Sequence, residues 1–199
     1  MARPLPKLLL IINPEGTLVR TKYQEVMTLK ETSSTKCMEK RPNIEEFLRF
    51  LFIRNKLFFK VGVWTSLSIS ETEAISRETF SSFEKSLLFK YASPNQNEPR
   101  DLQRAWHNFP EFSQANTIYI DTTDTSLIQK DNILAFPPFQ QDECLKYFPD
   151  YLKFFSFNYQ RKKNANLLDF MKRINFKDFF RERSMPEAKE PKGESSRFW

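Results

Sequence analysis

The sequence predicts an α/β fold in which a mostly parallel β-sheet is flanked by helices, with extra helices towards the C-terminal end. Two observations carry this prediction. Short apolar runs of strand length alternate along the chain with segments of helical periodicity, as in folds that wind strands and helices in turn. The apolar runs also lack polar alternation, which is typical of strands buried on both faces of a parallel sheet.

Four segments have the composition of buried strands. The first is the uninterrupted run KLLLII, and the turn Asn-Pro-Glu-Gly at 13–16 follows it directly. The polar segment 22–40, rich in Ser and Thr, is predicted to be a loop. The four predicted strands are 7–12, 57–64, 116–121 and 132–136.

The segments between and after these strands predict helices. The first helix follows Pro42, a residue that the first helical turn tolerates, and its apolar residues recur at helical spacing. The later helices are a weak one, a short one with Trp106, and two with aromatic faces, at 70–91, 101–109, 142–157 and 164–181. The predicted organisation is a main domain at 1–158, a helical extension packed on it at 159–183, and a polar tail at 184–199.

Composition bounds the function classes. Hydrophobic residues make up 40% and charged residues 28% of the 199 positions, which is typical of a globular domain. No apolar run approaches the roughly 20 residues of a membrane span. Cys37 and Cys144 match no disulfide or zinc spacing, which favours an intracellular, reducing compartment; mitochondrial and nuclear locations both stay open. The net charge of +6 allows an acidic partner, nucleic acid included.

Polar residues follow three of the predicted strands at the point where each ends. Asn13 follows the first strand, Thr65 and Ser66 follow the second, and Asp121 ends the third. Sites in parallel sheets gather at the carboxyl ends of the strands. The sequence therefore predicts that a functional site lies where these residues meet.

The strand-end segments, taken in order, resemble the C-terminal-domain phosphatases of the haloacid-dehalogenase (HAD) superfamily, the NLI-interacting-factor-like family. The family begins with Asp-x-Asp-x-Thr-Leu-Val, then has Arg-Pro before a helix, a strand ending in Trp-Thr, Lys-Asp-Leu, a strand ending in an acidic or acidic-amide pair, and Pro-Pro-Phe. This sequence has the corresponding segments Asn13–Val19, Arg41-Pro42, Trp64-Thr65, Arg100-Asp101-Leu102, Asp121-Thr122 and Pro137-Pro138-Phe139.

The stretch WHNFPEFSQANTIYID at 106–121 is especially similar to the branch of that family that carries an N-terminal ubiquitin-like domain, which is absent from these 199 residues. The resemblance spans roughly residues 7 to 183. It implies a HAD-like, Rossmannoid fold; it does not imply that the activity has been kept.

The resemblance gives the first aspartate of the motif the role of nucleophile and the second that of general acid and base. Here those positions are Asn13 and Glu15. A neutral amide cannot form an aspartyl-phosphate, and the longer Glu15 moves its carboxyl by about 1 Å, a misplacement that can cost about 100-fold in rate. We expect both positions to be inactive.

The resemblance also places phosphate contacts at Thr17, Thr65, Ser66 and Arg100, where Arg100 replaces a lysine of the family. The metal positions are Asp121 and Thr122. A hydroxyl at Thr122 and an amide at Asn13 are poor ligands for a hard cation, so we regard the metal site as vestigial and expect no cofactor.

These residues predict an inactive phosphatase-like domain, a pseudo-phosphatase, that serves as a structural or interaction subunit of a larger assembly. Its protein partners are expected to bind the Phe-rich C-terminal helices, whose aromatic side chains are predicted to exceed what one domain can bury, and the tail ending in Arg197-Phe198-Trp199. Two alternatives stay open: an active Mg²⁺-dependent serine/threonine protein phosphatase in which Glu15 compensates, and a phosphopeptide reader that binds phosphate without cleaving it.

Overall fold

The computed structural model describes residues 7–27, 32–93, 95, 99–122, 127–140, 142–161 and 167–184; at 23–27, 32–36 and 157–161 it describes the backbone alone. The predicted tail beyond 184 lies outside the described residues. Within the described part of the chain, no helix is both long and apolar enough to cross a membrane.

A five-stranded parallel sheet forms the centre of the molecule, which confirms the predicted α/β class. Its strand order is β5-β4-β1-β6-β7, and every pair of neighbours is parallel. The four strands predicted from the sequence are all present. The strands are β1 (Leu8–Ile12), β4 (Phe59–Thr65), β5 (Lys90–Ala92), β6 (Thr117–Asp121) and β7 (Ile133–Ala135).

The predicted loop at 22–40 is wrong. The segment forms an antiparallel hairpin of two nine-residue strands, β2 (Val19–Met27) and β3 (Thr32–Lys40), with Val19 paired to Lys40. Its two strands are mostly polar and show no apolar alternation, the signal by which strands are usually found. The hairpin is a separate two-stranded sheet, and the chain enters it immediately after the loop that follows β1.

Six α-helices surround the sheet in the described residues. Helix α2 has a capping box between Ser68 and Glu71 and ends at Phe80, since Ser81 has a positive φ of 47°. It is therefore shorter than the predicted segment 70–91, which also overlaps the first two residues of β5. The helices are α1 (Ile44–Arg49), α2 (Ile69–Phe80), α3 (Gln103–Asn108), α4 (Cys144–Arg161), α5 (Leu167–Arg173) and α6 (Phe176–Ser184).

The two faces of β1 enter two different cores. Leu8, Leu10 and Ile12 belong to a large cluster that includes residues of α1, α4, α5 and α6, whereas Leu9 and Ile11 belong to a smaller cluster with residues of α3. All five residues of β1 are fully buried. Because both faces of β1 are buried, each of its residues has to be apolar, and this is why the sequence shows an uninterrupted apolar run.

The aromatic residues of the C-terminal helices are used inside the domain, which corrects the predicted apolar surplus on these helices. Phe148 and Phe176 are fully buried, and their rings lie 4.8 Å apart in an edge-on arrangement. The Tyr151 hydroxyl donates a hydrogen bond to the Ile174 carbonyl, 2.7 Å away, where the predicted helix 164–181 breaks into α5 and α6. Phe154 is the large apolar residue of these helices that stays exposed among the described side chains. A partner surface on these helices therefore has no broad apolar stripe to support it.

Arg41, directly after the hairpin, is a buried cation that joins three segments. Its Nη1 donates to the carbonyls of Thr17 and Pro137, at 2.7 and 2.9 Å. Its Nε and Nη2 donate to the two carboxylate oxygens of Asp142, at 3.0 and 2.5 Å. A bidentate pair of this kind fixes the planes of both groups. Arg41 thereby ties the loop after β1 to the Pro-Pro-Phe loop after β7 and to the start of α4.

Stability should depend on the ionisation of Asp142. Burial raises the pKa of this carboxyl, but the hydrogen bonds from Arg41 and from Cys144 outweigh burial and hold its pKa below the usual value. A carboxyl with a lowered folded-state pKa stabilises the fold above its unfolded pKa of about 4, and that stability is lost as pH falls through the folded pKa. We expect Asp142→Asn to lower the free energy of unfolding by about 2 kcal/mol at pH 7.

The measurement is the urea midpoint of both proteins between pH 2 and pH 7. The difference between the wild type and Asp142→Asn should narrow steadily below pH 4, because the wild-type carboxyl then also becomes neutral. A difference that stays constant down to pH 2 would contradict the role of the carboxylate charge.

Candidate functional site

The predicted site residues gather at the carboxyl end of the parallel sheet. Asn13 follows β1, and its backbone N–H donates to the Ile120 carbonyl of β6 at 3.0 Å, which places it beside Asp121. Arg100 reaches the same place from the segment before α3, where its backbone carbonyl accepts from Ile128. Thr65, at the end of β4, lies at the same edge of the sheet, but its hydroxyl makes its hydrogen bonds with Thr72 and Leu67. The centre of the site is therefore Asn13, Asp121 and Arg100.

Asn13 and Asp121 are joined directly. The Nδ2 of Asn13 donates to Oδ2 of Asp121 at 3.1 Å, while Oδ1 of Asn13 is buried without a hydrogen-bond partner in the described residues. Rotating the amide by half a turn would place its oxygen against the carboxylate oxygen. Repulsion between those oxygens fixes the amide with its donor towards Asp121. The amide nitrogen thus faces the carboxylate at the position where the family resemblance expects a nucleophilic oxygen.

Asp121 is a buried carboxylate whose charge is already balanced. Its side chain is 2% exposed, and its Oδ2 lies 3.5 Å from Nη1 of Arg100, itself 6% exposed. Its Oδ1 accepts from the backbone N–H of Thr122 at 2.7 Å. In low dielectric a buried carboxylate needs such partners, and here they are a guanidinium, an amide and a backbone donor.

Arg100 is held from its other side by Tyr119, a residue that the sequence analysis did not single out. Its Nη1 donates to the Tyr119 hydroxyl at 2.5 Å, and that hydroxyl lies 3.4 Å from the Trp64 carbonyl. Burial raises the pKa of Tyr119 well above the usual value, against the opposing charge of Arg100, so the phenol stays neutral. Tyr119 lies two residues before Asp121 in β6, so the two-residue period of a strand was the signal that could have identified it.

The loop after β1 is closed by its own hydrogen bonds. Thr17 is fully buried, and its hydroxyl donates to the carbonyl of Asn13, with the Pro14 carbonyl 3.3 Å away. Gly16 has a φ of +79°, a conformation that favours glycine. Thr122 packs there: its Oγ1 lies 3.4 Å from the point where a Cβ on Gly16 would be. The hydroxyl of Thr17 is thus hydrogen-bonded within the loop. The side chain of Thr122 packs against the same loop, at Gly16.

The Glu15 carboxylate is bound to the hairpin. Its Oε1 accepts from the backbone N–H of Thr21 at 3.1 Å, and its Oε2 accepts from the Thr21 hydroxyl at 2.9 Å. Both bonds hold the carboxylate against strand β2 of the hairpin. Because the hairpin was predicted to be a loop, nothing in the sequence pattern indicated this contact.

Thr65, another predicted phosphate contact, also has hydrogen-bond partners within the protein. Thr65 is fully buried, and its hydroxyl lies 2.6 Å from that of Thr72 and accepts from the backbone N–H of Leu67 at 3.1 Å. These bonds fix the turn between β4 and α2. Ser66 beside it is partly exposed. Of the predicted phosphate contacts, Thr17, Thr65 and Arg100 therefore have protein partners already.

The arrangement does not fit a divalent cation. A hard cation needs several anionic or carbonyl oxygens that converge on one point. Here the amide of Asn13 presents its N–H₂ group to Asp121, and a guanidinium lies 3.5 Å from the same carboxylate oxygen. Within the described residues, no group of three or more His, Cys, Asp or Glu side chains is placed to hold a metal.

His107 and the two cysteines lie outside the site. His107 is an exposed residue of α3, Cys37 is exposed on β3, and Cys144 is fully buried at the start of α4. Burial raises the pKa of the Cys144 thiol far above the usual value, so it stays protonated.

Comparison with known proteins agrees with this architecture. The model of the NLI interacting factor-like phosphatase family matches residues 8–181. A similar structure is that of the fission yeast RNA polymerase II CTD phosphatase Fcp1-R271A, solved bound to beryllium fluoride. Its TM-score is 0.50 at 12% sequence identity, and the match covers 90% of this chain and 65% of that chain. A second structure is that of Fcp1, described as an essential RNA polymerase II CTD phosphatase. Its TM-score is 0.49 at 12% sequence identity, and the match covers 95% of this chain and 56% of that chain.

The chain thus spans 56–65% of the length of these solved structures. At 12% identity the likeness concerns the fold alone. No curated protein matches the sequence significantly.

Proposed function

Because the chain belongs to the NLI interacting factor-like phosphatase family, we propose that it is an inactive member, a pseudo-phosphatase whose domain acts as a structural or interaction subunit of a larger assembly. The observation that carries the proposal is the direct hydrogen bond from the Asn13 amide to Asp121, 3.1 Å long. At the position where the family's nucleophile attacks phosphorus, this chain has a neutral group whose nitrogen is the atom facing the acidic partner. An amide in that place cannot form the covalent phosphoenzyme.

The position of Glu15 supports the same proposal. A general acid must come within about 3 Å of the oxygen that it protonates. The Glu15 carboxylate instead makes two hydrogen bonds to Thr21 on the hairpin. These two bonds hold the carboxylate beside strand β2, and moving it towards a substrate oxygen elsewhere in the site would cost at least one of them.

The state of Arg100 argues against a phosphate reader. A reader needs a cation that is free to pair with the phosphate of its ligand. The guanidinium of Arg100 is 6% exposed and already contacts the Asp121 carboxylate and the Tyr119 hydroxyl. A phosphate would have to reach a guanidinium that is almost fully buried and share it with Asp121, whose negative charge already balances it.

The test is hydrolysis of p-nitrophenyl phosphate with 10 mM Mg²⁺ by the wild type, Asn13→Asp and Glu15→Gln. We expect the wild type and Glu15→Gln to release phosphate no faster than buffer. We expect Asn13→Asp alone to recover at most a trace of turnover, since Glu15 and Arg100 stay engaged with Thr21 and Asp121. Turnover by the wild type that disappears in Glu15→Gln would overturn the proposal and establish the Mg²⁺-dependent phosphatase alternative.

The role as a subunit has its own test. Several large apolar side chains are exposed in the described part of the chain, among them Leu57 at 76% and Ile69 at 73%. Purification of the tagged chain from its own cells, followed by light scattering, should yield a complex heavier than the 23.8 kDa chain. A stable monomer without a co-purifying protein would contradict this part of the proposal.

A further inference from the structure

A cleft of about 330 Å³ lies at the amino end of β4, at the end of the sheet opposite the candidate site. It is formed by the first three residues of β4, by Phe52, Lys56 and Leu57 before that strand, and by Ser86. Its volume is at the lower end of the range of roughly 300–1,000 Å³ that is usual for ligand pockets. A cleft of this size accommodates one or two side chains of a ligand.

The aromatic walls of the cleft are fixed by the core behind them. The ring of Phe52 stacks on that of Phe83, with 5.3 Å between the ring centroids, and meets the ring of Phe80 edge-on at 6.2 Å. Phe59 is 3% exposed, and its ring lies 5.8 Å from that of Phe50. The walls therefore stand in place before a ligand arrives, which reduces the entropy lost on binding.

The charge of the cleft is positive. Lys56 and Lys60 line it, and no aspartate or glutamate is among the lining side chains that the structure describes. Glu84, two residues before Ser86, pairs with Lys90 at 3.0 Å. Within the described part of the chain, neither Lys56 nor Lys60 forms an ion pair. The cleft therefore attracts an anionic group.

Large apolar side chains are exposed at the same place. Leu57, which lines the cleft, is 76% exposed, and Ile53, one helical turn before it, is 53% exposed. A single exposed leucine needs no explanation, but here it stands beside a fixed aromatic wall and two unpaired lysines. The cleft thus offers apolar contacts and cations together, and a ligand that matches it has an apolar group next to an anion.

The edge of the sheet is open beside the cleft. Strand β5 pairs only with Val63–Thr65 of β4, and the next contact towards the amino end is the N–H of Leu88, which donates to the Val61 carbonyl at 2.7 Å. In the described residues no strand lies beside Phe59 and Lys60 on that side. Extended peptides bind at such open edges, where backbone groups and side-chain pockets act together. This favours a polypeptide ligand over a small anion or a lipid surface.

From these observations we infer that the cleft binds an extended segment of a partner protein in which a large apolar side chain lies next to carboxylates. The apolar side chain packs on Phe52 and Leu57, and the carboxylates pair with Lys56 and Lys60. The inference names the surface used by the proposed subunit and rests on that part of the proposed function. It does not depend on whether the centre at Asn13 is catalytically inactive.

The test uses a short fluorescein-labelled peptide in which leucine alternates with glutamate, and two matched peptides with glutamine in place of glutamate and serine in place of leucine. We expect the first peptide to bind the full chain roughly tenfold more tightly than the glutamine peptide, as two partly exposed ion pairs imply. The serine peptide should bind at least severalfold more weakly than the first. Equal affinity of either matched peptide would overturn the inference.

Matched variants locate the binding. Lys56→Gln/Lys60→Gln should reduce the affinity for the glutamate peptide to that for the glutamine peptide. Leu57→Ser should reduce it severalfold without loss of stability, because this side chain is mostly exposed. The control Lys146→Gln/Lys177→Gln removes two exposed lysines that do not line the cleft and should leave the affinity within twofold. The same loss in the control would mean non-specific attraction and would contradict the inference.

Other anionic ligands are measured in the same way. A single-stranded oligonucleotide and phosphatidylserine vesicles should bind the wild type and Lys56→Gln/Lys60→Gln equally. Binding of either ligand that exceeds peptide binding and is lost in this variant would assign the cleft to nucleic acid or to a membrane surface, and would overturn the inference.

Purification of Lys56→Gln/Lys60→Gln from the native cells separates this inference from the proposed subunit role. A partner that co-purifies with the wild type should be lost from the variant and kept by Lys146→Gln/Lys177→Gln. A partner kept by both variants would contradict the cleft inference and leave the subunit role intact. A wild type without any partner would contradict the subunit role, and the peptide titration would then decide the cleft inference alone.

Discussion

Replacement of Arg41 by methionine is expected to lower the free energy of unfolding by about 3–5 kcal/mol, the usual cost of removing one partner of a buried ion pair. Arg41 is 1% exposed and pairs with Asp142 through two hydrogen bonds. The same guanidinium supplies donors to the carbonyls of Thr17, Pro137 and Pro138. Methionine can keep the apolar contact with the Phe136 ring, which lies 4.9 Å from the guanidinium carbon, but leaves the acceptors without this donor.

Urea unfolding followed by circular dichroism measures this loss. Arg54→Met is the matched control, because Arg54 pairs with Glu46 on the surface, where the two side chains are 59% and 56% exposed. A surface pair contributes less than about 1 kcal/mol, so the control should change stability little. Equal losses in the two variants would refute the role assigned to Arg41 as the residue that joins the loop after β1 to α4.

Asn13→Asp is expected to destabilise the metal-free protein by roughly 2 kcal/mol at pH 7, equivalent to a carboxyl pKa raised by about 1.5 units. The variant places a second carboxylate where the Asn13 amide now donates to Asp121 over 3.1 Å. Arg100, 3.5 Å from Asp121, offsets part of the repulsion. Because the folded-state pKa of the new carboxyl is raised, the loss should shrink as pH falls towards 4, where that carboxyl is protonated.

Thermal unfolding in EDTA and in 10 mM Mg²⁺ measures both parts of this prediction. Magnesium should raise the Tm of Asn13→Asp, since two adjacent carboxylates attract a divalent cation, and should leave the wild-type Tm unchanged. Gln114→Glu adds the same charge at an exposed position and controls for net charge. A wild-type Tm that rises with Mg²⁺ would show a working metal site and would contradict the pseudo-phosphatase proposal.

Much of the fold could be predicted because strands buried on both faces consist of apolar residues, which can be seen in the sequence. The apolar runs that form β1 and β4 are buried on both faces, as expected for central strands of a parallel sheet. The hairpin at 19–40 could not be predicted, because its strands are polar and its pairing is a property of the backbone. The aromatic helices were found, yet their role was not, since the burial of Phe148 and Phe176 depends on the packing of α4 against α6.

The candidate site divides in the same way. The sequence by itself determined which groups are present: an amide at 13, a longer carboxylate at 15, and a guanidinium at 100. Only the tertiary structure decided that Asn13 donates to Asp121, that Arg100 neutralises the same carboxylate, and that Glu15 bonds to the hairpin. The physical reason is that residue types fix charge and hydrogen-bonding capacity, whereas partners separated by up to 108 positions are chosen by the fold.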